Sequence, residues 1–308
     1  MNILVSGSSG LIGQALIPVL TGGGHGVICL ARFKRQGGKS LVYWNPAGGE
    51  IDAAKLEGCD AVIHLAGEPI TGRWTAAKKR AIRESRVKST RLLCEALSSL
   101  SDRPRVLVAA SASGYYGDRG DEVLREESEA GSSFLSQVCQ EWEAATKPAA
   151  ESGIRVVNLR IGFVLSRAGG GLAKMLPTFK MGAGGRIGSG KQYMSWIGID
   201  DLVQIIFFVA TTETLDGPAN AVAPNPVTNL EFTKTLGRVL GRPTIIPMPA
   251  FAVRLAFGEM GEELLLASTR IEPARLLSAG YQFRFPELEG ALRHLLDKRS
   301  LNNGTTHP

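Results

Sequence analysis

The chain has 308 residues, 44% hydrophobic and 21% charged, the composition of a globular protein with a large buried core. A net charge of +6 with aromatics at 6% suits an anionic small molecule and, with no nucleic-acid-binding motif in the chain, argues against nucleic acid as the partner. The longest apolar run, "IIFFVA" at 205–210, is far short of the ~20 residues of a membrane span.

The chain opens on the apolar strand "NILVSG", which leaves no room for a signal peptide and leads us to expect a cytoplasmic protein. A helix, "LIGQALIPVLTGG", follows, with Pro18 expected to kink it or loosen a turn. Further strands are read at "GVICLAR", "CDAVIHLAG", "PRVLVAASA" and "IRVVNLRIGFVL", each apolar enough to be buried on both faces. The long helices between them are "TAAKKRAIRESRVKSTRLLCEALSSL" and "SSFLSQVCQEWEAATKPAAESG". Strand–helix alternation of this kind predicts an α/β doubly wound parallel sheet.

Past Ser166 glycine becomes dense through "RAGGGLAKMLPTFKMGAGGRIGSGKQ", which reads as loops around a short helix. "YMSWIGIDDLVQIIFFVA" then reads as a strand and a helix capped near Asp200 and Asp201. From about Asn225 to Leu296 prolines punctuate short helices. The expected division is a dinucleotide-binding domain over 1–165 with 196–224 returning to it, and a smaller, mostly helical substrate lobe over 166–195 and 225–300. A disordered tail is expected over 301–308. Cys29, Cys59, Cys94 and Cys139 lack metal-ligand spacing, so reduced thiols and no metal are expected.

Between the first strand and helix, "VSGSSGLIG" places Gly7, Gly10 and Gly13 where a Rossmann fold binds a pyrophosphate. Gly7 permits the tight turn, Gly10 a close backbone approach, and Gly13 close helix–strand packing, with the helix N-terminus turned to the phosphates. The second strand ends in Arg32, followed by Lys34 and Arg35, where an NAD site would carry a carboxylate. Guanidinium grips a 2′-phosphate that a carboxylate would repel, so NADP is the expected cofactor. The helix bearing Lys78, Lys79, Arg80, Arg83, Arg86, Lys88 and Arg91 reads as a solvated basic face.

These residues resemble the short-chain dehydrogenase/reductase superfamily in its extended, epimerase-like branch, on the glycine motif, "HLAG" and "SASGYYG". More closely, "LAGEPI", "SRVKSTRLL", "WIGIDDL", "NAVAPNPVTNLEF" and "GYQFRFPELEGAL" resemble the SulA-like "epimerase family protein" subgroup, whose members carry a C-terminal domain of their own. The resemblance implies cofactor contacts from Gly7, Ser9, Gly10, Leu11, Ile12 and Gly13, from Arg32, and from Leu65, Ala66 and Gly67. It also implies contacts from Arg86, paired with Ser85, and from Gly162 and Val164 beside Phe163.

The chain departs from that superfamily at its Tyr-x-x-x-Lys pair. Aligned on Trp142 and Glu143, Phe134 or Leu135 stands where the tyrosine belongs, and Val138 or Cys139 where the lysine belongs. Ser111 is the expected active-site serine, with Ser113 one alignment step away. Tyr115 or Tyr116 is the replacement phenol, or else one packs under the sheet and the other caps the loop. A phenol is a poor base at neutral pH unless a cation lies beside it, and Arg86 is the expected cation. Glu68 is a further acid/base candidate, with a local hydrogen-bonding role as the alternative. The stretch "RIGSGKQYMSWIGIDDL" is expected to line the substrate cleft with Lys191, Gln192 and Trp196.

Two functions remain open on these residues. One is an NADP-dependent oxidoreductase, or an isomerase of the epimerase kind, acting on a small polar substrate such as a nucleotide-linked one. The other is a catalytically silent NADP-binding sensor or scaffold. A monomer or homodimer is expected for either.

Overall fold

The computed structural model describes residues 1–32 and 40–297; Lys34, Arg35 and the tail over 301–308 lie outside them. The chain enters on β1 (Asn2–Ser6), turns into α1 (Leu11–Gly22) and lays β2 (Gly26–Ala31), β3 (Leu41–Asn45) and β4 (Glu50–Ile51) to one side. It returns to the other side of β1 through β5 (Ala61–His64), α2 (Ala76–Ser98) and β6 (Val106–Ala112). The short β7 (Val123–Leu124), α3 (Phe134–Ala144), α4 (Lys147–Glu151) and β8 (Arg155–Ile161) follow. Then come β9 (Phe163–Leu165), α5 (Gly170–Lys180), β10 (Tyr193–Met194), β11 (Trp196–Gly198) and α6 (Ile199–Thr211). The last strand of the main sheet is β12 (Gly217–Ala221).

The eight-stranded sheet has the order β12-β8-β6-β5-β1-β2-β3-β4. Every pair is parallel except β3–β4. The order in which the chain adds strands reverses at β1, and the gap between β1 and β5 is the crevice where doubly wound sheets bind ligands. The apolar runs have a simple cause: alternate residues of one strand enter opposite cores. Ile3, Val5, Ala61, Ile63, Val106 and Val108 pack with α1 and α6, whereas Leu4, Val62, Leu107 and Ala109 pack with α2 and α4. Each such Val, Leu or Ile contributes about 1.5–3 kcal/mol by leaving water. Pro18 does not end α1, which continues to Gly22.

The C-terminal part holds β13 (Val227–Thr228), α7 (Asn229–Leu240), α8 (Ala250–Phe257) and α9 (Glu259–Gly261), then a π-helical turn over Glu262–Leu266. β14 (Arg270–Ile271), α10 (Ala274–Ser278) and α11 (Leu288–Leu296) complete it. α7 starts on a reciprocal Thr228–Glu231 capping box and stops at Gly241, whose φ of +62° suits glycine. β14 pairs with β7 and β13 with β10, stitching this part to the loops of the main sheet.

The cap expected at α6 is not made by Asp200 or Asp201. Gly198 is the N-cap, with no side-chain bond. Asp201 is buried and accepts the backbone N–H groups of Arg284 (2.8 Å) and Phe285 (3.0 Å), and Asp200 holds His294 Nε2 at 2.8 Å. Lying inside the first turn, both carboxylates reach outward to the C-terminal segment instead of back to their own helix. No helix among the described residues is long and apolar enough to cross a membrane. Nor do any three His, Cys, Asp or Glu among them form a group able to hold a metal.

Candidate cofactor and active site

The glycine turn is built by close contact. Gly7 has φ +72°, and a Cβ there would lie 2.7 Å from the Leu65 carbonyl carbon and oxygen. A Cβ on Gly13 would strike the Gly7 carbonyl oxygen. The Gly10 N–H closes the turn onto Gly7 O (3.0 Å), and no side chain caps α1, so its first N–H groups face the crevice. Ser9 and Gly10 are exposed there, with Leu11 and Ile12 half-buried behind them. Arg32 is exposed at the end of β2 and forms no ion pair with another described residue. Gly169 and Gly170, not singled out from sequence, fold over α1: a Cβ on either would lie 3.2 Å from the Leu11 side chain.

On the other side of β1, Leu65, Ala66 and Gly67 run off β5. Arg86 lies beneath them, with Nη1 donating to the carbonyls of Glu68 (3.0 Å) and Ile82 (3.2 Å). Glu68 takes the local role: its carboxylate pairs with Lys78 Nζ at 2.8 Å and its N–H donates to Ser85 Oγ. Gly162 packs so tightly that a Cβ would strike the Ser195 carbonyl, and Phe163 and Val164 pair with β11.

The hydroxyl cluster is held by two charged residues that the sequence reading passed over, Glu143 on α3 and Arg160 on β8. Ser111 Oγ, 3% exposed, donates to Glu143 Oε1 at 2.7 Å. Arg160 donates Nε and Nη2 to the two oxygens of that carboxylate, both at 2.9 Å. Its Nη1 donates to the Tyr116 hydroxyl (3.0 Å) and the Glu126 carbonyl (2.9 Å). Tyr116 in turn donates to Asn220 Oδ1 at 2.7 Å.

This corrects the reading of Tyr116 as a proton-transfer group. It is fully buried with its hydroxyl committed on both sides, and burial pushes its phenol up to about 12. Ser111 is likewise sealed, its proton given to Glu143. Of the four hydroxyls between Ser111 and Tyr116, those of Ser113 and Tyr115 have no hydrogen-bond partner among the described residues, and both residues are half-buried on the short turn after β6. The cation beside the tyrosines is Arg160, not Arg86: its guanidinium lies 3.4 Å from the Tyr115 ring centre.

On α3, Leu135 and Val138 are buried against Trp74, Ile82 and Met260, and Cys139 is buried beside Ser111, where burial pushes its thiol up to about 12. The N-terminus of α3 is closed by a carboxylate from the π-helical turn. Glu263 accepts the N–H groups of Phe134 (3.1 Å) and Leu135 (3.0 Å) and the Ser133 hydroxyl (2.8 Å). Glu263→Ala is therefore expected to cost about 1–2 kcal/mol in urea unfolding, with Glu263→Gln recovering part of it. Equal stability of Glu263→Ala and wild type would show that the helix tip does not depend on it.

Beneath the crevice runs a buried polar chain. His64 lies between Ser6 Oγ (2.6 Å to Nδ1) and Thr90 Oγ1 (2.9 Å to Nε2), and Trp142 Nε1 donates to the same Thr90 oxygen at 2.9 Å. Burial lowers His64 to about 4, so it is neutral at physiological pH.

Two cleft expectations are corrected. Gln192 is buried, its amide donating to the carbonyls of Ile187 and Leu265 (both 3.0 Å), and Trp196 is fully buried with Nε1 on Asn225 O (3.0 Å). In this glycine-dense segment polar atoms turn inward to satisfy carbonyls that no regular element pairs. Lys191 stays exposed. On α2, Lys78, Lys79, Arg83 and Lys88 are ion-paired, which dissolves most of the basic face.

The profile described as "NAD dependent epimerase/dehydratase family" matches residues 3–222, and that of "Domain of unknown function (DUF1731)" matches residues 248–295. The epimerase family protein Mb2239 of Mycobacterium bovis is 44% identical over 291 residues, covering 94% of this chain and 96% of that one. The crystal structure of human epimerase family protein SDR39U1 (isoform 2) with NADPH superposes with a TM-score of 0.88 at 36% identity, covering 96% of this chain and 99% of that one. A nucleoside-diphosphate sugar epimerase from Corynebacterium glutamicum gives 0.78 at 38% identity, over 96% of this chain and 58% of that one.

Proposed function

This chain belongs to the NAD dependent epimerase/dehydratase family, and from that premise we propose that it is an NADP-dependent oxidoreductase or epimerase acting on a small polar substrate. The observation that carries the cofactor reading is the glycine turn. Gly7 is jammed against Leu65 at the reversal of the sheet, and it aims an uncapped helix tip into the crevice. The human relative solved with NADPH supports the same cofactor here. In this reading Gly7, Ser9, Gly10, Leu11, Ile12 and Gly13 hold the pyrophosphate and Arg32 takes the 2′-phosphate. Leu65, Ala66, Gly67, Gly162 and Val164 border the nicotinamide end.

The bound dinucleotide supplies hydride exchange with a substrate carbon. The protein's own part is to place the reacting oxygen. Ser113 and Tyr115 offer the free hydroxyls for it, Arg160 fixes the Tyr115 ring, and Ser111 with Glu143 holds the end of β6 in place. The lobe of 166–195 and 225–300 would cover the substrate, and the Corynebacterium relative's description favours a nucleotide-linked one. The four free cysteines suit the cytoplasm. The second reading, a silent NADP-binding sensor, is favoured by the apolar face of α3 where the superfamily's proton-transfer pair would stand.

Arg32 gives the test. NADPH is expected to raise the melting temperature of the wild type well beyond NADH at equal concentration. Arg32→Glu is expected to weaken NADPH about ten- to a hundredfold and to leave NADH the better stabiliser. Equal protection of the wild type by NADH would overturn the 2′-phosphate assignment.

A further inference from the structure

Helix α8 turns its largest side chains outward. Phe251 and Leu255, one turn apart, are 71% and 79% exposed, whereas Val253 on the opposite face is fully buried beside Gly261. The lead-in to α8 does the same, with Ile245, Ile246 and Met248 all exposed. That lead-in runs alongside residues 182–188. Met248 N–H donates to Arg186 O (2.9 Å), Gly188 N–H donates to Met248 O (2.8 Å), and a Cβ at Gly182 would lie 3.5 Å from the Pro243 ring. The pairing brings the exposed Met181 to the same edge. These apolar side chains share one surface of the C-terminal part, where exposed ones ordinarily stand singly.

The charge around them has one sign. No Asp or Glu occurs over residues 152–199 or 232–258. Lys180, Arg186 and Arg242 border the patch, exposed and in no ion pair with another described residue. The carboxylates of the adjoining turn are already engaged: Glu259 with Lys79 (2.7 Å), Glu262 with Arg254 (2.6 Å) and Glu263 with the tip of α3.

Charge and chemistry decide what covers this face. A second copy seated on it in a two-fold dimer would bring the same cations against one another. The exposed side chains are hydrocarbon, thioether or long, flexible cations. They suit the boundary between lipid headgroups and acyl chains, which is fluid and has no fixed shape to match. We propose that α8 and its lead-in dock on the surface of an anionic bilayer. Phe251 and Leu255 enter the acyl boundary, and Lys180, Arg186 and Arg242 meet the headgroup phosphates. The docking is on the bilayer and not through it, since no helix among the described residues is long and apolar enough to cross one.

The test floats the full chain with vesicles of phosphatidylglycerol and phosphatidylcholine in equal parts, and with phosphatidylcholine alone. Wild type is expected to bind the anionic vesicles about tenfold or more tighter, and raising the salt from about 0.1 M to about 1 M should remove most of that preference. Phe251→Ser/Leu255→Ser is expected to weaken anionic-vesicle binding about tenfold or more, and Lys180→Glu/Arg242→Glu to do the same. All four side chains are exposed, so both variants should keep the wild-type melting temperature, and the salt series on the wild type tests the charge without any substitution. Wild type staying off the anionic vesicles, or either double variant floating as well as wild type, overturns the proposal. So does a concentration-dependent dimer in sedimentation that Phe251→Ser/Leu255→Ser abolishes, which would give the face to a second copy.

Discussion

Arg160→Met is expected to lower the free energy of unfolding by about 3–5 kcal/mol, read from urea melts. Arg160 is 3% exposed and its partner Glu143 13%, so the ion pair lies out of water. Taking the arginine away leaves the Glu143 carboxylate with Ser111 as its remaining donor. Tyr116 loses the donor to its oxygen, the Glu126 carbonyl loses another, and Tyr115 loses the plane it lies on. The loss is thus the cost of a stranded charge plus orphaned polar atoms, not the intrinsic strength of the pair. The double variant Arg160→Met/Glu143→Leu should accordingly be more stable than Arg160→Met alone, because two apolar groups replace a charge without a counter-ion. A double variant no better than the single one would refute the stranded-charge account.

The second large effect depends on pH. His64 titrates near 4 in the folded protein because it is buried, against the ordinary 6.5 when unfolded. Between those values the unfolded chain takes up a proton that the native site refuses. The stability linked to this group is therefore present above pH 6.5 and falls as pH drops toward 4, by about 3 kcal/mol in all. His64→Gln keeps a donor and an acceptor for Ser6 and Thr90 but cannot titrate. Its stability should decline less than the wild type's over pH 7 to 4, with the gap opening across that window. Parallel curves would mean that burial does not lower His64 below its unfolded value.

How much of this could be read from the chain depends on the range of the interaction. The buried strands and the glycine turn were legible because periodicity and φ > 0 are local properties of "VSGSSGLIG" and its neighbours. The charged support of the hydroxyl cluster was not, because Glu143 lies 32 residues from Ser111 and meets it only after α3 docks. Arg160 left a fainter trace: it stands directly opposite Ser111 in the β6–β8 register, so a strand alignment would have paired them. Asp200 and Asp201 misled for the reverse reason. They sit where local capping rules apply, yet a distant segment offered backbone donors to Asp201 and the His294 ring to Asp200. Gln192 and Trp196 carry polar atoms that suggest a cleft, but nearby loop carbonyls claim them.

The carboxylate of Glu263 at the tip of α3 also sets a timetable for synthesis. Strands β1 to β6 and β8 can pair while the ribosome is still reading the last third of the message. The opening turn of α3, capped locally by Ser133, gains its second cap only once residue 263 has cleared the exit tunnel. A nascent chain stalled short of that point would have its phosphate turn in place and the tip of α3 still without this carboxylate, so that contact is among the last to form at birth.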